Sequence, residues 1–141
     1  MLVSAAQYDP AGMAALSGPA ASANVVYDIR KLKLPRQEKS RKIENVALMA
    51  ITPDTLDFKA KFASTMPATS AGVDFKDGFA ISSLQPDPSF PVLPASPLNA
   101  FAGQDAEQTF TLSISKAGNP GADFGRITDL VLGLEYEASL V

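Results

Sequence analysis

The chain has no cysteine, no histidine and no tryptophan. Without cysteine there is neither a disulfide framework nor a thiolate nucleophile, and redox chemistry gives no hint of compartment, so localisation stays open. Without histidine the commonest general base at neutral pH is missing, as are the commonest metal ligand and every Ser-His or Cys-His pair. Most hydrolase mechanisms go with it. The expectation is a protein that is not an enzyme and has no catalytic residues, cofactor or metal. Long apolar runs are missing too: none approaches the roughly 18 to 20 residues that a membrane-spanning helix requires. The first residues do not read as a signal peptide, because they lack a basic leading region and Asp9 and Pro10 interrupt the apolar stretch. No segment shows a sustained helical period with caps, and no repeat has the period of a solenoid or propeller.

What is present is alternation. Leu130, Leu132, Leu134 and Tyr136 share one face of an extended chain, with Asp129, Val131, Gly133, Glu135 and Glu137 on the other. This is the period-2 pattern of a half-buried strand. Thr109 to Ser115 repeats it with Phe110, Leu112 and Ile114, and Leu56, Phe58, Ala60 and Phe62 alternate with Asp57, Lys59 and Lys61. Ile43, Val46, Leu48 and Ala50 mark another strand, ended by Thr52-Pro53-Asp54. Val25 to Ile29 opens a run through Leu32 and Leu34 whose apolar parity switches after Ile29, as a β-bulge would cause. Val73 to Phe75 and Phe79 to Ile81 flank Asp77-Gly78, a pair suited to a hairpin turn. Six or more short strands with long connections predict an all-β fold, an antiparallel β-sandwich with Greek-key or jelly-roll-like connections. A domain of this length removes roughly 68% of its unfolded surface from water, enough for one core without staples. Residues 1–23, rich in Ala, Ser and Gly, are expected as an arm or an edge strand around Met1 to Tyr8, and residues 24–141 as the single sandwich domain.

The net charge is −3, but its distribution says more than its sum. Seven of the twelve basic residues are Arg30, Lys31, Lys33, Arg36, Lys39, Arg41 and Lys42, interrupted only by Glu38. That window carries +6, whereas everything after residue 42 carries −7. Such a stretch attracts an acidic surface over about one Debye length, roughly 8 Å at physiological salt, and an acidic patch on one copy can meet the basic loop of another. No aromatic side chains interleave with it to stack bases, so nucleic acid is not the expected partner. Its plainer reading is a solvated loop.

Between Gln85 and Gln104 lie Pro86, Pro88, Pro91, Pro94 and Pro97, which exclude a central strand and make a long, stiff loop. Its apolar residues Phe90, Leu93, Leu98 and Phe101 either anchor a partner or cover one end of the core. Asp54 with Asp57, and Asp74 with Asp77, match no established calcium spacing and read as turn or surface residues. Glu135 and Glu137, about 7 Å apart on one strand face, resemble a glycosidase pair only superficially and read as an outward, solubilising pair. Tyr8, Tyr27 and Tyr136, without tryptophan, are a weak signal for sugar stacking.

Ala122 to Ala138, and above all Ile127-Thr128-Asp129-Leu130 and Tyr136-Glu137-Ala138, resembles the closing strand of the A components of the insecticidal Tc toxin complexes. Phe101-Ala102-Gly103 followed by Thr109-Phe110-Thr111-Leu112 is similar to that family's turn and next strand. Arg41 to Leu48, with Leu56 to Phe62, is similar to a pair of its strands. The resemblance covers roughly residues 25–138. Ala102 stands where the family turn carries an acid, Phe110 where it tends to carry tryptophan, and the long receptor-binding and pore-forming portions are not in this sequence. In the family the domain is a carboxy-terminal β-sandwich that helps form the surface docking the B-C cocoon. The resemblance therefore implies a non-catalytic assembly or protein-binding module, a structural or docking subunit that associates with itself or with a larger toxin-like complex. The alternative is a carbohydrate- or receptor-binding module, for which sandwiches are common hosts.

Overall fold

The computed structural model describes residues 1–81 and 96–140. Its strands are β1 (Leu2–Ser4), β2 (Ser22–Asp28), β3 (Glu38–Ile51), β4 (Phe58–Thr65), β5 (Ala68–Phe75), β6 (Phe79–Ile81), β7 (Thr109–Ser115) and β8 (Asp129–Leu140). They form two four-stranded sheets, a first of order β1-β8-β3-β6 and a second of order β2-β7-β4-β5. The pairing follows one rule: β1 with β8, β2 with β7, β3 with β6 and β4 with β5, all antiparallel. The chain is one long hairpin whose paired halves are wrapped so that β8 meets β3 and β7 meets β4. This is the connectivity of a jelly roll, and the all-β sandwich expectation holds.

The inner faces are the ones the alternation marks. Phe110, Leu112 and Ile114 of β7, Phe58 and Phe62 of β4, and Leu130, Leu132 and Leu134 of β8 are buried, and Tyr136 is half-buried. Phe62 stacks on Phe110 at 5.4 Å between ring centroids and meets Phe101 edge-on at 5.0 Å; Phe58 stacks on Phe75 at 4.2 Å. Such pairs add about 0.5–1.5 kcal/mol each beyond their buried area. Tyr27 is wholly buried, and its hydroxyl donates to the Leu130 carbonyl at 2.9 Å, tying the second sheet to the first.

Three expectations change. Residues 1–23 hold not only the edge strand β1 but two helices, α1 (Ala5–Tyr8) and α2 (Pro10–Ser17). They are too short for a helical period to show, yet both are capped: Ser4 Oγ accepts from the Gln7 N–H, and Asp9 accepts from the Gly12 N–H ahead of Pro10. The second Asp9 oxygen accepts from the Val26 N–H at 2.9 Å, pinning α2 to β2. The parity switch after Ile29 is not a bulge but a 3-10 turn, Ile29–Lys31, capped by Asp28. The true bulges lie in β3, where its register against β8 shifts between Lys39 and Arg41 and between Ile43 and Asn45, with Ser40 at φ 53°.

Asp77 and Gly78 do make a tight turn. Both have positive φ, 52° and 84°, and Lys76 and Phe79 exchange two backbone hydrogen bonds of 2.9 Å. That is a type I′ turn. The strands it joins belong to different sheets, so it carries the chain across the sandwich rather than closing a hairpin.

Candidate docking face

The basic stretch does not act as one surface. Arg41 is buried, at 8% exposure, and its guanidinium grips the Glu38 carboxylate at 2.7 Å, the Glu107 carboxylate and the Pro35 carbonyl. The same Glu38 oxygen accepts from the Tyr136 hydroxyl at 3.0 Å, and the Arg41 hydrogen bond holds the Glu38 carboxyl below the usual carboxylate range. Arg41 thus locks the bulged start of β3 and is withdrawn from any partner. Arg30 lies bidentate on Asp28, at 3.0 and 3.2 Å, and Lys42 pairs with Asp105 at 2.7 Å. Lys31, Lys33, Arg36 and Lys39 remain exposed, with no ion-pair partner among the described residues.

Of the proline-rich loop's apolar residues, Phe90 and Leu93 lie outside the described residues. Leu98 and Phe101 sit in the 3-10 turn Pro97–Phe101 and are both buried, so they cover the core rather than offer an anchor. Among the carboxylates, Asp54 pairs with Arg126 at 2.8 Å and Asp57 caps the Asp77 N–H at 2.8 Å. No group of three or more metal-ligating side chains comes together among the described residues. Of the tyrosines Tyr8 is exposed, at 51%, while Tyr136 is half-buried and Tyr27 buried.

The feature that the alternation pattern passes over is the outer face of the first sheet. In one row across the strands Leu2 lies beside Gly133, and Gly133 beside Ala47. In the next, Ser4, Val131, Met49 and Phe79 lie side by side, with Ile51 beyond them on β3. Leu2 is 72% exposed, Phe79 49% and Ile51 47%, while Ala47, Met49 and Val131 are half-buried. Gly133 keeps the middle flat, because a Cβ there would sit 3.2 Å from Leu2 Cδ2 and 3.6 Å from the Ala47 Cβ. Contiguous apolar faces on folded domains are where interaction sites are commonly found, which makes this face the candidate. One sequence signal pointed to it: Val46 to Ile51 is apolar at every position, the mark of a strand covered on both faces.

Charge borders the patch. At the β1 end Asp129 is tied down, accepting from Ser4 Oγ and from the Ala6 N–H at 2.9 Å. Towards the far end of β8 stand Glu44, Glu135 and Glu137. The Glu44 carboxyl hydrogen-bonds that of Glu135, and this contact, with partial burial and the charges of Glu135 and Glu137, raises its affinity for a proton. The outer face of the second sheet is different in kind. It presents Asn24, Thr111, Ser113, Lys59, Lys61 and Asp74, with Val26 exposed beside Thr111.

No family model matches, and no curated protein matches. Among solved structures, the cryo-electron microscopy structure of Yersinia pseudotuberculosis TcaA-TcaB matches with a TM-score of 0.55 at 17% sequence identity. The likeness is one of fold. It covers 82% of this chain and only 7% of that one, so a Tc toxin component contains a segment folded like this sandwich. No helix among the described residues is long and apolar enough to cross a membrane.

Proposed function

We propose that the chain is a non-catalytic docking module, of the same kind as the carboxy-terminal sandwich of Tc toxin A components, that joins a larger toxin-like protein assembly through the outer face of its first sheet. The observation that carries this is the apolar surface spanning β1, β8, β3 and β6, flat at Gly133 and edged by the acidic group on one side. The fold likeness to a segment of TcaA-TcaB supports the setting. The complementary surface is an apolar protein patch with a basic rim, and long-range attraction to Glu135 and Glu137 aids its approach.

The test begins with affinity capture from the source organism, followed by hydrogen exchange on the purified complex. The expected result is a stoichiometric protein that protects residues 47–49 and 131–133 and is lost from the double variant Met49→Glu, Phe79→Glu. Both substitutions fall on an outer face, so the variant should still fold. A partner whose footprint lies on the second sheet, or one that ignores the double variant, overturns the reading.

A further inference from the structure

Where β4 begins and β5 ends, the second sheet meets the loop between β7 and β8, and the two enclose a cleft of about 520 Å³. Sites for small molecules run to about 300–1,000 Å³. The cleft is shaped by fixed parts of the fold. On the loop side Asn119, 9% exposed, accepts from the Lys59 N–H at 2.6 Å and donates to the Lys59 and Ser115 carbonyls at 2.9 and 2.8 Å, which fastens the loop to β4. Gly118 and Gly121, on either side of it, line the cleft with bare backbone, and Gly121 holds a φ of 82°. On the sheet side Phe58 stacks on Phe75 at 4.2 Å and meets Phe124 edge-on at 5.4 Å. Phe58 and Phe75, with the half-buried Leu56 and Ala122, give the cleft its apolar lining. Four charged side chains line it as well, Asp57, Lys59, Asp74 and Lys76, all exposed. Lys59 lies opposite Asp74 in the β4–β5 register, Asp57 accepts from the Asp77 N–H at 2.8 Å, and none of the four has an ion-pair partner among the described residues. The next charges along the chain, Lys61, Asp77, Lys116 and Asp123, do not line the cleft, and Lys116 Nζ is held by the Ala15 and Gly18 carbonyls.

We propose that this cleft binds a neutral sugar. The inference does not rest on the docking reading, because the cleft belongs to the second sheet and the docking face to the first. The charges select the ligand. Two carboxylates and two ammonium groups cancel, so a ligand with a net charge of either sign meets as much repulsion as attraction. Each group nevertheless stays a strong hydrogen-bonding partner, the carboxylates accepting and the ammonium groups donating. Hydroxyl groups do both, and a sugar ring carries several of them around a face of C–H groups that suits Leu56, Ala122 and the two phenylalanines. A small-molecule site of mostly apolar lining with a few convergent polar groups has this composition. Phe58 and Phe75 are 4% and 1% exposed, so they line the cleft without offering a ring face for stacking. The sugar is therefore held by hydrogen bonds at a water-exposed rim, and its affinity is in the millimolar range.

The test uses the full chain and saturation-transfer NMR with glucose, galactose, mannose, N-acetylglucosamine, lactose and cellobiose, set against glucuronate, glucosamine and the zwitterion glutamine. At least one neutral sugar should bind at millimolar concentration, more tightly than every charged or zwitterionic probe, and should shift the backbone amides of Lys59, Lys76, Gly118 and Gly121. Salt at about 0.5 M should leave that binding unchanged, since no net charge is recognised. Asp74→Ala and Lys76→Ala remove side chains that hold no hydrogen bond among the described residues, so the fold should stand. Each should weaken binding about tenfold, the effect of one lost hydrogen bond to a charged group. Gly118→Trp places a large side chain in the cleft at an exposed position of ordinary φ, where a Cβ would meet nothing closer than 3.6 Å, and should abolish binding. Silence from all the neutral sugars, tighter binding of a charged or zwitterionic probe, loss of binding in salt, or amide shifts confined to other parts of the fold overturns the inference. So does binding that Gly118→Trp and both alanine variants leave unchanged.

Discussion

Gln108→Leu should destabilise the fold by about 2–4 kcal/mol. The Gln108 side chain is wholly buried and serves the β4–β5 turn from below. Its Oε1 accepts from the Thr65 N–H at 2.9 Å and the Met66 N–H at 2.6 Å, while its Nε2 donates to the Met66 carbonyl at 3.1 Å and the Asp105 carbonyl at 2.8 Å. Leucine keeps the volume and removes these four bonds, together with the donation to Gln104 Oε1 at 3.2 Å and the longer contact from the Thr65 hydroxyl at 3.4 Å. A hydrogen bond lost where water can replace it costs about 1 kcal/mol, and a group left dry costs about 1–3. Thr65 and Met66 are exposed, so water reaches part of what is uncovered and the total stays well below four full penalties. A domain of this kind is stable by about 5–15 kcal/mol, so the variant remains folded. Its midpoint should fall on the order of 6–12 °C, taking roughly 3 °C per kcal/mol at this chain length. Urea denaturation gives the free energy, calorimetry the midpoint, and hydrogen exchange should show the Thr65 and Met66 amides opening first. A loss below about 1 kcal/mol, or unchanged exchange at those two amides, would refute the assignment of Gln108 as the buried support of this turn.

Asn119→Ala should cost about 1–3 kcal/mol in urea denaturation, because Asn119 accepts from the Lys59 N–H and donates to the Lys59 and Ser115 carbonyls, and so replaces a missing stretch of ladder beside β4. Gly133→Ala should be neutral or stabilising by about 0.5 kcal/mol, since its backbone φ is not positive and the nearest obstruction is the exposed, movable end of Leu2; the same variant should bind the captured partner less well. Glu44 and Glu38 should give opposite pH dependences. The folded chain holds the Glu44 proton more tightly than the unfolded chain, so acidification from neutral towards the ordinary glutamate range stabilises the fold through Glu44, and Glu44→Gln should abolish that gain in melts from pH 7 to about 4. Glu38, held low by Arg41, contributes its stability above the ordinary glutamate range and loses it only as pH falls below that range.

The strands were legible where one face meets the core and the other meets water. Phe110, Leu112 and Ile114, or Leu130, Leu132 and Leu134, declare their burial by alternation alone. The same logic hid the candidate face, because alternation assigns every second residue to solvent and says nothing about what solvent finds there. Met49, Val131 and Phe79 come from three strands far apart in sequence and become neighbours only through the pairing of β8 with β3 and β3 with β6. The basic stretch misled for a related reason. Charge counting treats Arg41 and Arg36 alike, yet the bulge at Ser40 turns Arg41 inwards onto Glu38 and Glu107 and leaves Arg36 in water. The helices were missed because periodicity needs length, although Asp9-Pro10 is a start signal at any length.

The two outer faces bear on function more directly than the core does. Both sheets must be apolar inside to form the sandwich, and folding asks nothing apolar of either outside. The second sheet mostly obeys, with Asn24, Thr111, Ser113 and the lysines of β4 facing water beside the exposed Val26. The first departs further: Leu2, Ile51 and Phe79 leave about half or more of their side chains in water on one contiguous face. Exposed apolar surface on a sheet carries an aggregation hazard, and the acidic group at one end of it blunts edge-to-edge pairing between copies. The proposed docking role accounts for both features at once: a surface hazardous to show in water, and charge at one end that guards it against its own kind.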